Sequence, residues 1–541
     1  MTTVRDASFE LFRKHGMTTI FGNPGSTELP MLGPLPDDFK YVLGLQEAVA
    51  VGMADGFAQA SGKVAHVNLH TAPGVGNGVG AIFNARANRA PLLVTAGQQV
   101  RSLITLQANL TNRDAVEVPK PYVKYSHEPP RAADVPFALA QAIHNASLPP
   151  AGPAFVSIPM DDWLREIEPV DYTTQIARVT GGRAQPSPAT IAALAERLRK
   201  AKRPAFVAGP DVDAAAGGWE AAIELAESQR LPVWSTPPTN GSRIGFPEAH
   251  PAFQGMLPPA VGPLGEALAP YDLVLVAGSA IFPYYPNIPG AFLAEGTELV
   301  AITCDPDEAA RAPMGEAIVA DVGLTLRALA DELSEPAAER EQPPARTEID
   351  PFPPGEQLAG GEVHAILAEL FPQDGIIVLE SPSSTAALRN QLRLSHQGSY
   401  YFSASGGLGF GLSAAIGVQL AQPERQVVCV LGEGSAQYAI TAFWTAAAYG
   451  VPVKFLVLRN GEYSILKWFA ALESVDDAPA LDLPALDVAA TAESYGVPSV
   501  SVGGGSREAD GEQLHAALSD ALAQEGPRLV QVDVAPGMAL V

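Results

Sequence analysis

Short runs of aliphatic and β-branched residues recur along the chain. Each ends in glycine or a polar residue and is followed by a longer stretch with helical spacing. MTTIF, KYVLGL, VAHVNLH and PLLVTAG lie in the first third; PAFVAG, DLVLVAG, ELVAITC and AIVADV in the middle; GIIVLE, VVCVL and VKFLVL in the last. Apolar runs of this kind predict strands buried on both faces, and their alternation with helices predicts α/β units on parallel sheets. Two stretches lack the pattern. Residues 171–186 (DYTTQIARVTGGRAQP) are polar and rich in breakers, which predicts a linker; residues 335–357 are rich in proline and charge, which predicts an ordered or semi-rigid linker without a core. The chain therefore reads as three doubly wound parallel-sheet domains, at 1–170, 187–334 and 358–541.

Polar residues gather where the strands end. In an open parallel sheet that is where ligands bind. After VVCVL comes Gly432-Glu433-Gly434-Ser435, then a helical stretch ITAFWTAAAYG; after VKFLVL comes Arg459-Asn460-Gly461-Glu462-Tyr463. Glu433 and Asn460 should lie close together. Glycine amides at a helix start suit a phosphate, and a carboxylate with an amide oxygen suits a hard divalent cation bridging to it. An ordinary βαβ crossover with glycine turns is the competing reading. In the first unit, three strand ends lead into loops that hold Ser26, Glu47 and His70, the last within His70-Thr71-Ala72-Pro73-Gly74-Val75-Gly76-Asn77. Taken singly, Ser26 could be a helix cap, Glu47 a first-turn acid and His70 a partly buried core histidine. Their joint occurrence favours a site.

Composition narrows the function classes. The chain has 541 residues, 47% of them apolar, and a net charge of −25. That length suits about three cores. The acidic charge argues against nucleic acid. No apolar run reaches the roughly 20 residues of a membrane span, and the amphipathic start MTTVRDASFELFRKHG does not read as a signal peptide. The two cysteines, Cys304 and Cys429, sit in strand-like runs. They are expected to be buried thiols of a reducing, cytoplasmic compartment.

Several segments, in order and over nearly the whole chain, resemble thiamine diphosphate-dependent 2-oxoacid decarboxylases, in particular the benzoylformate decarboxylase branch. These are FGNPGSTELP, LQEAVAVGMADGFAQASGK, NLHTAPGVGNGVGA, PLLVTAGQQ, RAPMGEAIVAD and GSYYFSASGGLGFGLSAAIGVQLA. The resemblance implies a pyrimidine-binding domain, a mainly structural central domain whose loop AIFPYYPNIPG reaches the active site, and a diphosphate- and metal-binding domain. It assigns Glu47 to the aminopyrimidine N1′, the Gly406 carbonyl to its 4′-amino group, and Leu408 to the wedge beneath the bent cofactor. Asn23, Pro24, Gly25 and Asn77 would line the same cofactor. Ser383, Gly434, Ser435 and Tyr463 would hold the diphosphate. The metal, magnesium with calcium also admissible, would take Glu433, the Asn460 side chain and the Glu462 carbonyl. Ser26 would face the substrate carboxylate and His70 would move a proton. Tyr285, Ile465 and Phe469 would complete the substrate pocket. The partners implied are a small 2-oxoacid and a second copy of the chain, as a homodimer or homotetramer, with Glu47 and the metal site contributed by different subunits.

The sequence departs from the family pattern at particular places. Glu433 replaces an aspartate, Pro382 a hydroxyl residue, and Arg459 the first asparagine of the usual pair; strand alternation points Arg459 to solvent. Tyr285 stands where the branch has a second histidine, which is expected to slow decarboxylation and favour carboligation. Ile465 is bulkier than the branch expects and narrows the pocket. An acetolactate-synthase-like carboligase and a non-catalytic cofactor-binding member are the alternatives.

Overall fold

The computed structural model describes residues 2–238, 242–282, 284–346 and 355–538. They form three six-stranded sheets, and every pair of neighbouring strands in them is parallel. The first sheet runs, across its width, Lys40–Leu43, Thr19–Gly22, Ala65–Leu69, Leu92–Gln98, Ala154–Pro159 and Tyr125–His127. The third runs Tyr400–Phe402, Ile376–Glu380, Val427–Gly432, Lys454–Arg459, Arg528–Asp533 and Ser499–Val502. Numbered by their sequence within each sheet, both have the order 2-1-3-4-6-5. The central sheet has the order 3-2-1-4-5-6, from Phe253–Met256 at one edge to Glu316–Val319 at the other. Winding reverses beside strand 1 in each sheet, which opens a crevice at the carboxyl ends there.

The apolar strand runs are buried on both faces because helices cover both sides; all five residues of Ala65–Leu69 and of Ile376–Glu380 are buried. The first and third domains share one apolar cluster, which includes Val51 and Met53 from one and Leu412 and Ile416 from the other. At its centre, helix Glu47–Ser61 crosses helix Gly411–Ala421. The approach is so close that a Cβ on Gly417 would stand 1.8 Å from the Met53 carbonyl oxygen. Each of these helices follows strand 2 of its own sheet, so they are topological equivalents.

Charged contacts fix the central domain to the other two. The buried Arg389 guanidinium donates to Glu248 at 2.7 Å, with its cation 5.3 Å from the Tyr400 ring centre. Arg89 pairs with Asp211 and with Glu308, the latter at 2.6 Å. Arg243 meets Asp213 at 2.8 Å and lies 5.1 Å from the Tyr401 ring centre.

Four details differ from the sequence reading. The glycine-rich HTAPGVGNG is not a loop but the start of helix Thr71–Ala87, with His70 as its cap. Its Pro73 falls in the first turn, where no amide partner is needed, and its Gly78 lets Leu69 and Val51 pack close. Within the expected linker 171–186, Thr173–Ala177 is a helix whose Ile176, with Tyr172, joins the first domain's core. The stretch ITAFWTAAAYG is helical only from Ala442 to Ala448, while Glu433 opens a separate short turn, Glu433–Ala436. Cys304 lies just beyond strand Glu298–Thr303 and is partly exposed, whereas Cys429 is buried. The 335–357 linker is laid against the central domain as far as 346, where Ala337 donates to the Ser228 carbonyl and Gln254 to that of Pro344; residues 347–354 lie outside the described residues.

Candidate functional site

The first crevice lies between the ends of Thr19–Gly22 and Ala65–Leu69. One strand delivers Asn23, Pro24, Gly25 and the single turn Ser26–Glu28; the other delivers His70. Glu47 is the first residue of its helix and is 8% exposed. Asn77 donates to one of its carboxylate oxygens at 3.1 Å and Asn23 to the other at 3.3 Å. Ser26 is exposed at the rim.

His70 is held from beneath by Glu28, a residue the sequence reading passed over. The ring Nδ1 lies 2.9 Å from Glu28 Oε2 and 3.2 Å from Thr27 Oγ1. Glu28 is fully buried and is itself fixed by the Gly25 and Gly97 amides, each at 2.8 Å. Gly25 must be glycine, since a Cβ there would stand 2.1 Å from His70 Nδ1. In sequence, Glu28 three residues after Gly25 looks like the acid of a capping box, which hides its second duty toward the histidine.

The second crevice lies between the ends of Ile376–Glu380 and Val427–Gly432. It holds a cavity of about 160 Å³ lined by Ser383, Leu408, Gly432 to Ser435, Asn460, Glu462, Tyr463 and Ile465. Gly360, Gly361 and the segment Pro536–Met538 also line it and were not foreseen; the Gly-Gly pair at a helix start was the available signal. All residues lining the cavity belong to the third domain, and none of Asn23, Glu47 or His70 is among them. The sequence-predicted residues thus fall into two groups, one at each crevice.

The Glu433 carboxylate, 2% exposed, accepts the Gly461 amide at 2.7 Å and the Asn460 amide at 3.2 Å, both on Oε1. Burial raises its pKa, opposed by those amides. Asn460 Oδ1 takes the Glu462 amide at 3.1 Å. Burial would also raise the Glu462 carboxyl, but Lys467 and Ser464 hold it below the usual range. Arg459 is only partly exposed, 32% of its side chain, rather than free in solvent. It forms a two-pronged pair with Asp533, at 2.6 and 3.0 Å, on the neighbouring strand. Strand alternation missed this because Asp533 is 74 residues away in sequence.

From the central domain, Tyr285 reaches across to Phe469, with ring centres 4.6 Å apart. Phe469 lies on helix Ser464–Leu472, which follows directly from Tyr463 and the cavity wall. Tyr285 remains 59% exposed.

Three family models match the chain: Thiamine pyrophosphate enzyme, N-terminal TPP binding domain, over residues 2–118; its central domain over 191–329; and its C-terminal TPP binding domain over 383–532. The chain belongs to the thiamine pyrophosphate enzyme family. Within that family it is 50% identical to a benzoylformate decarboxylase of Pseudomonas aeruginosa, over 98% of this chain and 99% of the relative. Among solved structures, a thiamine diphosphate-dependent 4-hydroxybenzoylformate decarboxylase of Rhodococcus jostii superimposes with a TM-score of 0.94 at 45% identity, covering 99% of each chain. A benzoylformate decarboxylase of Polynucleobacter necessarius gives 0.94 at 37% identity, again over 99% of each chain. An acetolactate synthase large subunit of Parasynechococcus marenigrum is 29% identical over 98% of this chain and 87% of its own.

The cavity suits the diphosphate end of thiamine pyrophosphate. Its floor is the start of a helical turn, whose first backbone amides have no partner within the turn. Gly434 keeps it open, since a Cβ there would meet the Tyr463 ring at 2.7 Å. The Glu433 carboxylate and Asn460 amide oxygen beside it are hard donors, the kind magnesium and calcium prefer. The first crevice presents a buried carboxylate, Glu47, and a partly exposed imidazole, His70. No helix among the described residues is long and apolar enough to cross a membrane.

Proposed function

We propose that this protein decarboxylates an aromatic 2-oxoacid of the benzoylformate type to its aldehyde. The 50% identity to a benzoylformate decarboxylase across both full lengths carries the proposal. Thiamine diphosphate supplies a thiazolium ring that accepts the electron pair left behind when CO2 departs. The chain's residues do the rest. Glu47, held between Asn23 and Asn77, carries or shares a proton at the aminopyrimidine N1′. Ser26 meets the substrate carboxylate at the rim. His70, oriented by Glu28 through Nδ1, keeps its Nε2 free to give or take a proton at the reacting carbon. Glu433, Asn460 and the Glu462 carbonyl would hold magnesium, or calcium, and Gly434, Ser435, Ser383 and Tyr463 would receive the diphosphate. Glu47 of one chain and the cavity of a second copy would grip the two ends of one cofactor, in a cytoplasmic homodimer or homotetramer.

Tyr285 stands where the branch carries a histidine, and a phenol is in general a much weaker acid than an imidazolium. Product release should slow, and a second aldehyde should be captured to give a hydroxyketone. One experiment covers these points: incubate the protein with thiamine diphosphate and magnesium, offer aromatic and short aliphatic 2-oxoacids, and measure CO2, aldehyde and hydroxyketone. A preference for benzoylformate-type acids with hydroxyketone accumulating is expected. CO2 from none of the acids rejects the function. A strong preference for short aliphatic acids rejects the aromatic assignment, and pure aldehyde at fast turnover rejects the role given to Tyr285.

A further inference from the structure

We propose that Asn84 and Glu380 are positioning residues that fix the direction of the Gly406 carbonyl and the place of Leu408, and so the fit of the aminopyrimidine. This rests on the function proposed above. The segment between strand Tyr400–Phe402 and helix Gly411–Ala421 has no regular structure of its own, and both Gly406 and Gly409 have positive φ, +71° and +99°. Such a segment needs anchors to hold one shape.

It has one at each end. Asn84, on helix Thr71–Ala87 and 4% exposed, donates to the Gly407 carbonyl at 3.0 Å and accepts the Ser405 hydroxyl. Ser405 Oγ in turn accepts the Gly407 amide at 3.2 Å. Gly407 N–H and the Gly406 carbonyl share one planar trans peptide, so they point in opposite directions. Holding the first toward Ser405 and Asn84 aims the second away from them. At the far end, the Glu380 carboxylate accepts three successive amides, Gly409 at 2.7 Å and Phe410 and Gly411 at 3.0 Å each. Between the anchors, Gly406 is exposed and Leu408 lines the cavity. A Cβ on Gly407 would stand 2.2 Å from Asn84 Oδ1, so a larger residue there would push Asn84 from its two partners.

The test uses Asn84→Asp, Ser405→Ala and Glu380→Gln. Asn84→Asp keeps the acceptor for Ser405 but sets a carboxylate oxygen against the Gly407 carbonyl. In the cofactor-free protein, amide hydrogen exchange within 403–411 should rise at least tenfold, with other segments unchanged. In the loaded protein, exchange of the thiamine diphosphate C2 proton should fall at least tenfold relative to wild type. Exchange at C2 within twofold of wild type in Asn84→Asp and Ser405→Ala overturns the proposal. So does faster amide exchange throughout the chain with C2 exchange retained, the mark of a merely structural role. If the wild type itself fails to speed C2 exchange over free thiamine diphosphate, the underlying function fails instead.

Discussion

Substituting alanine for Gly417 should move the Glu47 carboxylate without touching it. The new methyl carbon would stand 1.8 Å from the Met53 carbonyl oxygen and 2.8 Å from the Phe57 amide nitrogen. Both obstacles are backbone, so no side chain can swing away. Ordinary contact begins near 3.4 Å, and 3.4 − 1.8 gives 1.6 Å of forced separation between the helices. The crossing is tight elsewhere too: a Cβ on Gly56 would stand 2.2 Å from the Ala414 carbonyl oxygen. Overpacking a close-packed core costs about 1–3 kcal/mol, and a backbone clash of this size belongs at the upper end. For a domain of this size, about 3 kcal/mol lowers the melting temperature by roughly 6–12 °C. Glu47 opens the displaced helix, and a misplacement of about 1 Å at reacting groups can cost on the order of a hundredfold in rate. Differential scanning calorimetry of the first transition, paired with kcat on the preferred 2-oxoacid, measures both effects. A first transition within 1 °C of wild type, with kcat within twofold, would refute the reasoning.

Glu28→Gln should keep the fold but weaken the contact that orients the His70 ring, so kcat on the preferred 2-oxoacid should fall about ten- to a hundredfold; a kcat within twofold of wild type counts against it. Arg389→Met leaves Glu248 as a buried carboxylate without its cation, which should cost about 3–5 kcal/mol, and calorimetry should show it; pairing it with Glu248→Leu should recover much of the loss. Burial holds the His66 and His364 rings neutral, with pKa values lowered to about 3. The unfolded rings take up protons below about pH 6.5 and the folded ones do not, so stability is full above that pH and is lost progressively down to about pH 3. Each ring removes about 2 kcal/mol by pH 5. Urea midpoints at pH 7 and pH 5 should show His364→Leu losing less than wild type, and an equal loss would contradict this.

The three parallel-sheet domains and the strand-end positions of Glu47, His70, Glu433 and Asn460 were legible because strand burial and crevice chemistry leave local marks in sequence. Other features were not. Helix Thr71–Ala87 opens with residues of poor helical propensity, and its packing against the Glu47 helix, which only the folded state reveals, overrides them. The pairing of Arg459 with Asp533 depends on which strands are neighbours, and no spacing encodes that. Glu28 carries two roles, and the local one conceals the distant one.

The two helices that meet at Gly417 hold the same place in two sheets wound in the same order. Their contact is therefore one between equivalent elements of two like-wound halves of a single polypeptide. A bulkier residue on one helix should be tolerated best when its counterpart on the other is trimmed, and homologous chains should vary at the two positions together.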